Sequence, residues 1–329
     1  MFKALFSRIV SATGVGMVAA ALAAGAAHAQ DWPNKPVRII APFPPGGSVD
    51  QVSRVLANYL APSLGQQVIV DNKGGAAGSI GTALAAKAAP DGYTFVVVFD
   101  THAVNPSLIP NMAFDTLKDL APVMLIGTSA MVLTAHPSQP YQNFSDLIKA
   151  AKAKPESIGF GTIGTGSLAH LAMTQLQMQG NFKMTHVPYK GGGPLKQDSI
   201  AGHVPTSIAS NFVTAPDVKS GALRPLAVTS AKRLASMPNV ATVAEQGFPG
   251  FAAYAWWGLL APAGTPKPIV DRMHAEVLKV LNNKEARERL SAQGMDIVAS
   301  SSTEFAKFLG GEVERWAKVV KDNNIKAGE

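Results

Sequence analysis

Short β-branched runs alternate with stretches of helical spacing along this chain, and that alternation restricts its fold more than any other property. The runs at residues 68–70, 95–99, 158–161, 185–189 and 223–229 read as strands, and several are followed by apolar residues at helical intervals. Residues 95–99 form an unbroken apolar run, the pattern of a strand covered on both faces. The expected class is therefore α/β with mostly parallel sheets. No fixed-period repeat is present.

Finer expectations follow from local signals. Residues 120–126 and 131–135 read as two strands separated by Gly127-Thr128-Ser129, and residues 208–212 as another. Ser145 is the expected cap of a helix carrying Phe144, Leu147, Ile148 and Ala151, with Pro155 ending it. Tyr254 to Ala261 reads as an aromatic-rich strand, and Ser301-Ser302-Thr303-Glu304 as a capping box opening the last helix.

The chain opens with Lys3, Arg8, an alanine-rich apolar segment and Ala27-His28-Ala29, the form of an export signal cleaved before Gln30. The remainder is long enough for two domains of ordinary size. The chain has no cysteine, so disulfides, thiol nucleophiles and cysteine-ligated metals are excluded. Its formal charge of +7 falls by two with the signal. Basic residues are scattered without interleaved aromatics, which argues against nucleic acid and leaves a mild field that attracts small anions.

Val37 to Asp50 carries the strongest site signal. A buried strand meets Pro42, Pro44 and Pro45, which stiffen the turn, and Gly46-Gly47-Ser48 then opens a helix. Unpaired N–H groups of a first helical turn seat an anion. Small, polar turns recur after the other strands: residues 101–105, 161–167, 191–193, 210–212 and 229–230. In an open α/β sheet ligands bind beyond the carboxyl ends of strands, so these turns are expected to line one cleft. Neither the first turn nor residues 161–167 contains a lysine or arginine. Arg54, four residues after Asp50, is expected to pair with it along the helix. Phe43 or Phe212 would supply apolar contact.

Catalytic alternatives are weaker. Ser167 and His170 could serve a hydrolase, but no nucleophile elbow surrounds Ser167, which reads better as a helix cap. The glycine order at residues 161–166 does not match a dinucleotide turn, and the histidines show no ligand spacing for a metal. No cofactor is expected.

Pro42-Phe43-Pro44-Pro45-Gly46-Gly47 with Asp50 and Arg54, Pro90-Asp91-Gly92-Tyr93-Thr94, Val187-Pro188-Tyr189-Lys190-Gly191, Leu226-Ala227-Val228-Thr229-Ser230 and Gly258-Leu259-Leu260-Ala261-Pro262 together resemble the Bug-type solute receptors of tripartite tricarboxylate transporters. The resemblance spans essentially the whole chain after the signal. It implies a periplasmic, two-domain class II binding protein with a Venus-flytrap fold, which captures a small carboxylate (a dicarboxylate, aromatic acid or amino acid), delivers it to membrane components and is not an enzyme. The implied domains are residues 30–127 plus 254–329, and 128–253.

Carried onto this chain, Gly46, Gly47 and Ser48 form one seat, and Gly161, Thr162, Gly164, Thr165, Gly166 and Ser167 the other. His102, Asn105, Asp198 and Asn211 become candidates for reading the far end of the ligand. The turn at residues 72–78 departs from the family pattern, in which an arginine and a proline precede the glycines. A monomer is expected. A periplasmic hydrolase and a receptor that presents its ligand to a membrane sensor are the competing readings.

Overall fold

The structure is a computed structural model that describes residues 32–323 and residue 325. The expected export segment lies outside the described residues. Lys35–Glu329 form one compact unit; of the other, Met1–Asn34, only residues 32–34 are described.

Strand β1 (Val37–Ala41) lies between β2 (Val68–Asn72) and β3 (Thr94–Phe99), parallel to both. All six residues of β3 are buried, as its unbroken apolar run requires. On its other side β3 pairs antiparallel with β9 (Tyr254–Pro262), which pairs antiparallel with β4 (Leu120–Ala135). From Met131 onward β4 instead meets β7 (Thr206–Ser210) and β8 (Arg224–Val228). Beyond β7 lie β5 (Gly159–Thr162) and β6 (Thr185–Pro188), both parallel. One strand thus belongs to both halves of the sheet system.

The break expected at residues 127–129 does not exist, because β9 continues the ladder across it through Thr128↔Trp256 and Ser129↔Ala255. Gly127 serves packing there. A Cβ on it would meet the Met295 side chain at 2.8 Å, where β10 (Asp296–Ile297) pairs with the same stretch.

Where β4 and β9 pass from one half to the other, the buried Thr229 ties them together. Met131 N–H donates to its Oγ1 at 2.8 Å, and that hydroxyl donates to the Ala253 carbonyl at 2.5 Å. The sequence placed Thr229 among the cleft turns; the structure makes it a clasp on the crossing strands. Trp256 and Trp257 face opposite ways, as neighbours on a strand must. Trp257 packs on Phe99 and Phe212, whereas Trp256 meets Phe305 and Phe308 edge-on.

Helices cover both halves. Helix α1 (Ser48–Leu64) starts at the glycine turn and ends at Gly65, whose φ of 66° suits a residue without Cβ. It is followed by α2 (Ser79–Ala86), α3 (Thr101–Leu108), α4 (Phe144–Ala153), α5 (Leu168–Gly180), α6 (Gly192–Ala201) and α7 (Asn211–Lys219). The last three are α8 (Lys267–Asn282), α9 (Lys284–Ala292) and α10 (Ser302–Asp322).

Asn143 caps α4 rather than Ser145: its side chain accepts from Asp146 N–H at 2.9 Å. The Ser301/Glu304 capping box forms as expected. Helices α3 and α7 were not anticipated. Pro106 and Pro216 lie inside them, and residues 211–212 read as the end of a strand. Among the described residues no helix is long and apolar enough to cross a membrane.

Candidate functional site

The carboxyl ends of the strands deliver helix starts from both halves to one place. Gly47 caps α1, Asp100 caps α3, Ser167 caps α5, Gly191 caps α6 and Ser210 caps α7. Gly47 and Gly192 face each other closely enough that a Cβ on Gly47 would stand 3.6 Å from the Gly192 nitrogen. Two neighbouring spaces lie among these turns. The inner chamber, of about 20 Å³, is lined by residues that include Gly47, Ser48, Asp100, Gly192 and Ser210, with Phe99, Met131 and Val213 as apolar wall. The outer cavity, of about 660 Å³, is bounded by Pro44, residues 74–78, Asn105, Leu108, Ile109, residues 163–166, Tyr189 and Lys190. Phe43 and Ile163 border both.

The first turn is held by charge. Asp50 accepts from Gly46 N–H at 2.9 Å, from Arg54 Nε at 3.1 Å and from Asn72 Nδ2 at 3.0 Å. Burial pushes its carboxyl up, but these donors, Arg54 foremost, outweigh it and hold the group below the usual carboxylate range. The expected ion pair is therefore present, and it consumes the Gly46 N–H. The space beside Gly47 and Ser48 remains the open part of that turn.

The second turn is held by neutral imidazoles. Gly166 N–H donates to His170 Nδ1 at 3.2 Å, and the His170 and His186 rings stack with centroids 4.1 Å apart. His186 Nε2 lies 2.7 Å from the Thr162 hydroxyl, which also meets the Gly164 backbone. Burial lowers His170 to about 4; burial and the neighbouring His170 lower His186 to about 3. Ser167 caps α5 by accepting from His170 N–H. That backbone bond and the engaged ring nitrogen leave the pair as a cap and a prop, not a base aimed at a nucleophile.

A third wall comes from the departing turn at residues 72–78. Ala76 and Ala77 adopt left-handed φ of 44° and 51° between Gly75 and Gly78, strain that the surroundings must hold in place. Asn105 Nδ2 donates to the Ala77 carbonyl at 3.1 Å. The sequence treated this turn as packing alone, although its unusual glycine density was the available signal. Lys190 is exposed and borders the outer cavity, and in the sequence it is visible only within the Val187–Gly191 motif.

Of the residues singled out from sequence, Phe43, Gly47, Ser48, Asn105, Gly164, Thr165 and Gly166 border the two spaces. The remaining seven do not. Gly46 is bonded to Asp50. Gly161 is pressed inside β5 beneath Leu195, and Thr162 turns toward His186. Ser167 is 1 % exposed beneath its turn. His102 is buried against Phe114, and burial lowers its ring to about 3. Asp198 bonds Tyr189 and His203 and borders neither space, and Asn211 abuts Gly294.

A family model described as tripartite tricarboxylate transporter family receptor matches residues 52–325. The chain belongs to this receptor family. Protein BugT of Bordetella pertussis is 36 % identical over 322 residues, covering 97 % of this chain and 98 % of that protein. The structure of R. palustris Rpa4515 with adipate superposes with a TM-score of 0.87 at 32 % identity, covering 90 % of this chain and 100 % of that one. MatC from Rhodopseudomonas palustris with bound malate gives a TM-score of 0.83 at 30 % identity, covering 88 % and 100 %. The α/β binding-protein fold expected from sequence is thus the fold of these receptors. The receptor is a solute-binding protein and not an enzyme.

Proposed function

We propose that this receptor captures a small dicarboxylate between its two halves, in the periplasm, and delivers it to membrane components of a tripartite transporter. One observation carries the reading: turns from both halves converge on a two-part space lined by helix starts and hydroxyls, with Lys190 the one basic residue that lines it among the described residues. Helix starts favour a negative group by their unpaired N–H ends and dipoles. Lys190 suits a second acid group at the opposite end, so two acid groups fit better than one. The adipate and malate bound to the two relatives are both dicarboxylates and support the same class.

Residues 30–127 with 254–329, and residues 128–253, act as two lobes, and β4 and β9, clasped by Thr229, are where they bend. The receptor works as a monomer. Gly47, Ser48, Asn105, Gly164, Thr165 and Gly166 approach the ligand, with Phe43 against its carbon chain.

A thermal-shift screen of the chain beginning at Gln30, across mono-, di- and tricarboxylates, aromatic acids and amino acids, tests the reading. At a hundredfold excess over the dissociation constant a ligand adds about 2.7 kcal/mol. Stabilisation by dicarboxylates supports it; stabilisation only by neutral or cationic compounds ends it. Tracer uptake in a deletion strain separates delivery from presentation to a sensor.

A further inference from the structure

The inner chamber contains an acid that the proposed function leaves unused. Asp100 follows β3, stands at the start of α3, is 1 % exposed and is among the residues that line the chamber. The backbone N–H groups of Leu168, at the start of α5, and of Thr101 act on its carboxyl in favour of the ionised form. Oδ1, in contrast, is buried without a hydrogen-bond partner among the described residues. An orphaned buried oxygen of this kind is rare in folded proteins and calls for an explanation.

No lysine, arginine or histidine lines the chamber, and Glu312 on α10 adds a second negative group nearby. Burial pushes Asp100 well above the usual carboxylate range, and its two N–H partners do not offset this. Burial thus favours the protonated form of Asp100, and Oδ1 is the carboxyl oxygen left without a partner. The chamber has room for about one water-sized group, such as one oxygen of a carboxylate. Around it stand the starts of α1, α6 and α7, which favour a negative occupant and oppose a cation.

We propose that Asp100 acts as a hydrogen-bond donor to one carboxylate of the ligand, reaching it in the inner chamber through Oδ1, and so selects an acid over an ammonium at that end. The inference rests on the dicarboxylate reading and deepens it by assigning a specificity residue on α3. A contact between a neutral acid and a carboxylate is a short, charge-assisted O–H to O bond. It exists only while Asp100 keeps its proton, so an ammonium in the same place would have to ionise Asp100 among helix starts that disfavour the cation.

The test is calorimetric titration of adipate, malate and 6-aminohexanoate into wild type, Asp100→Asn and Asp100→Ala, with thermal melts to establish that each variant folds. Titrations in two buffers of different ionisation enthalpy count protons. Asparagine keeps a neutral donor, so it should retain the better dicarboxylate within about threefold, whereas alanine should lose about tenfold to a hundredfold. No proton should leave on binding to wild type. Equal losses in Asn and Ala, or a proton released as 6-aminohexanoate binds more tightly than adipate, would overturn the donor role while leaving the receptor reading intact. Failure of wild type to bind any of the three probes would overturn both.

Discussion

Two glycine-rich turns, one from each half, are alike in composition and opposite in support. Gly46-Gly47-Ser48 is braced by an ionised carboxylate, Asp50, tied to Arg54 and Asn72. Gly164-Thr165-Gly166 is braced by two stacked histidines kept neutral by burial. In each case a glycine N–H, that of Gly46 or Gly166, is spent on the brace. A glycine-rich turn is therefore not a row of free donors; some of its N–H groups fix the loop so that the others can meet a ligand. The difference in support also gives the halves different sensitivities, because a salt-bridged carboxylate fails only in strong acid, whereas a neutral imidazole fails in mild acid.

The largest expected effect closes the gap between the first turn and the start of α6. A leucine at Gly47 would project toward Gly192 and Gly193, whose nitrogens would already lie 3.6 and 3.7 Å from a Cβ. Gly47→Leu should abolish dicarboxylate binding in titration. Gly47→Ala, whose methyl group makes only ordinary contacts, should bind within about tenfold of wild type. Next comes the charged brace: Asp50→Ala strands Gly46 N–H, Arg54 and Asn72, and should lower unfolding stability in urea by about 2 kcal/mol.

The neutral brace should show itself in the pH dependence of stability. An imidazole lowered to about 4 or 3 in the folded chain binds more protons when unfolded, so its contribution is complete above the unfolded value near 6.5 and is lost as pH falls from there toward 4. Asp50, lowered from an already acidic value, contributes fully above about 4 and loses its contribution only below that. Melting midpoints recorded from pH 7 to pH 4 should therefore fall, and His186→Phe should flatten the slope. An unchanged slope in that variant would remove the histidine brace from the comparison. The smallest effect belongs to the third wall: Asn105→Ala gives up one bond to the Ala77 carbonyl and should cost about 1 kcal/mol at most, with dicarboxylate affinity reduced a few-fold.

Local chemistry made a good part of this legible beforehand. The Asp50–Arg54 pair, the Ser167 cap, the Ser301/Glu304 box, the buried run of β3 and the helix opening at Ser48 each depend on residues within a few positions of one another. Asn211 and His102 read as plausible polar contacts because both sit in small, polar turns after strands; the structure turns Asn211 toward Gly294 and buries His102 against Phe114.

By itself the sequence determined the α/β alternation, the family, the stiff proline-glycine elbow and the caps, all of which follow from spacing and from the φ preferences of proline and glycine. Only the tertiary structure decided that residues 120–135 form one strand shared by both halves, that Thr229 clasps the crossing, and that Asp100 stands where five helix starts meet. Those outcomes depend on partners tens to more than a hundred residues away along the chain. Burial created by such long-range packing, not the identity of the side chain, pushes Asp100 toward its protonated form and makes His170 and His186 neutral props.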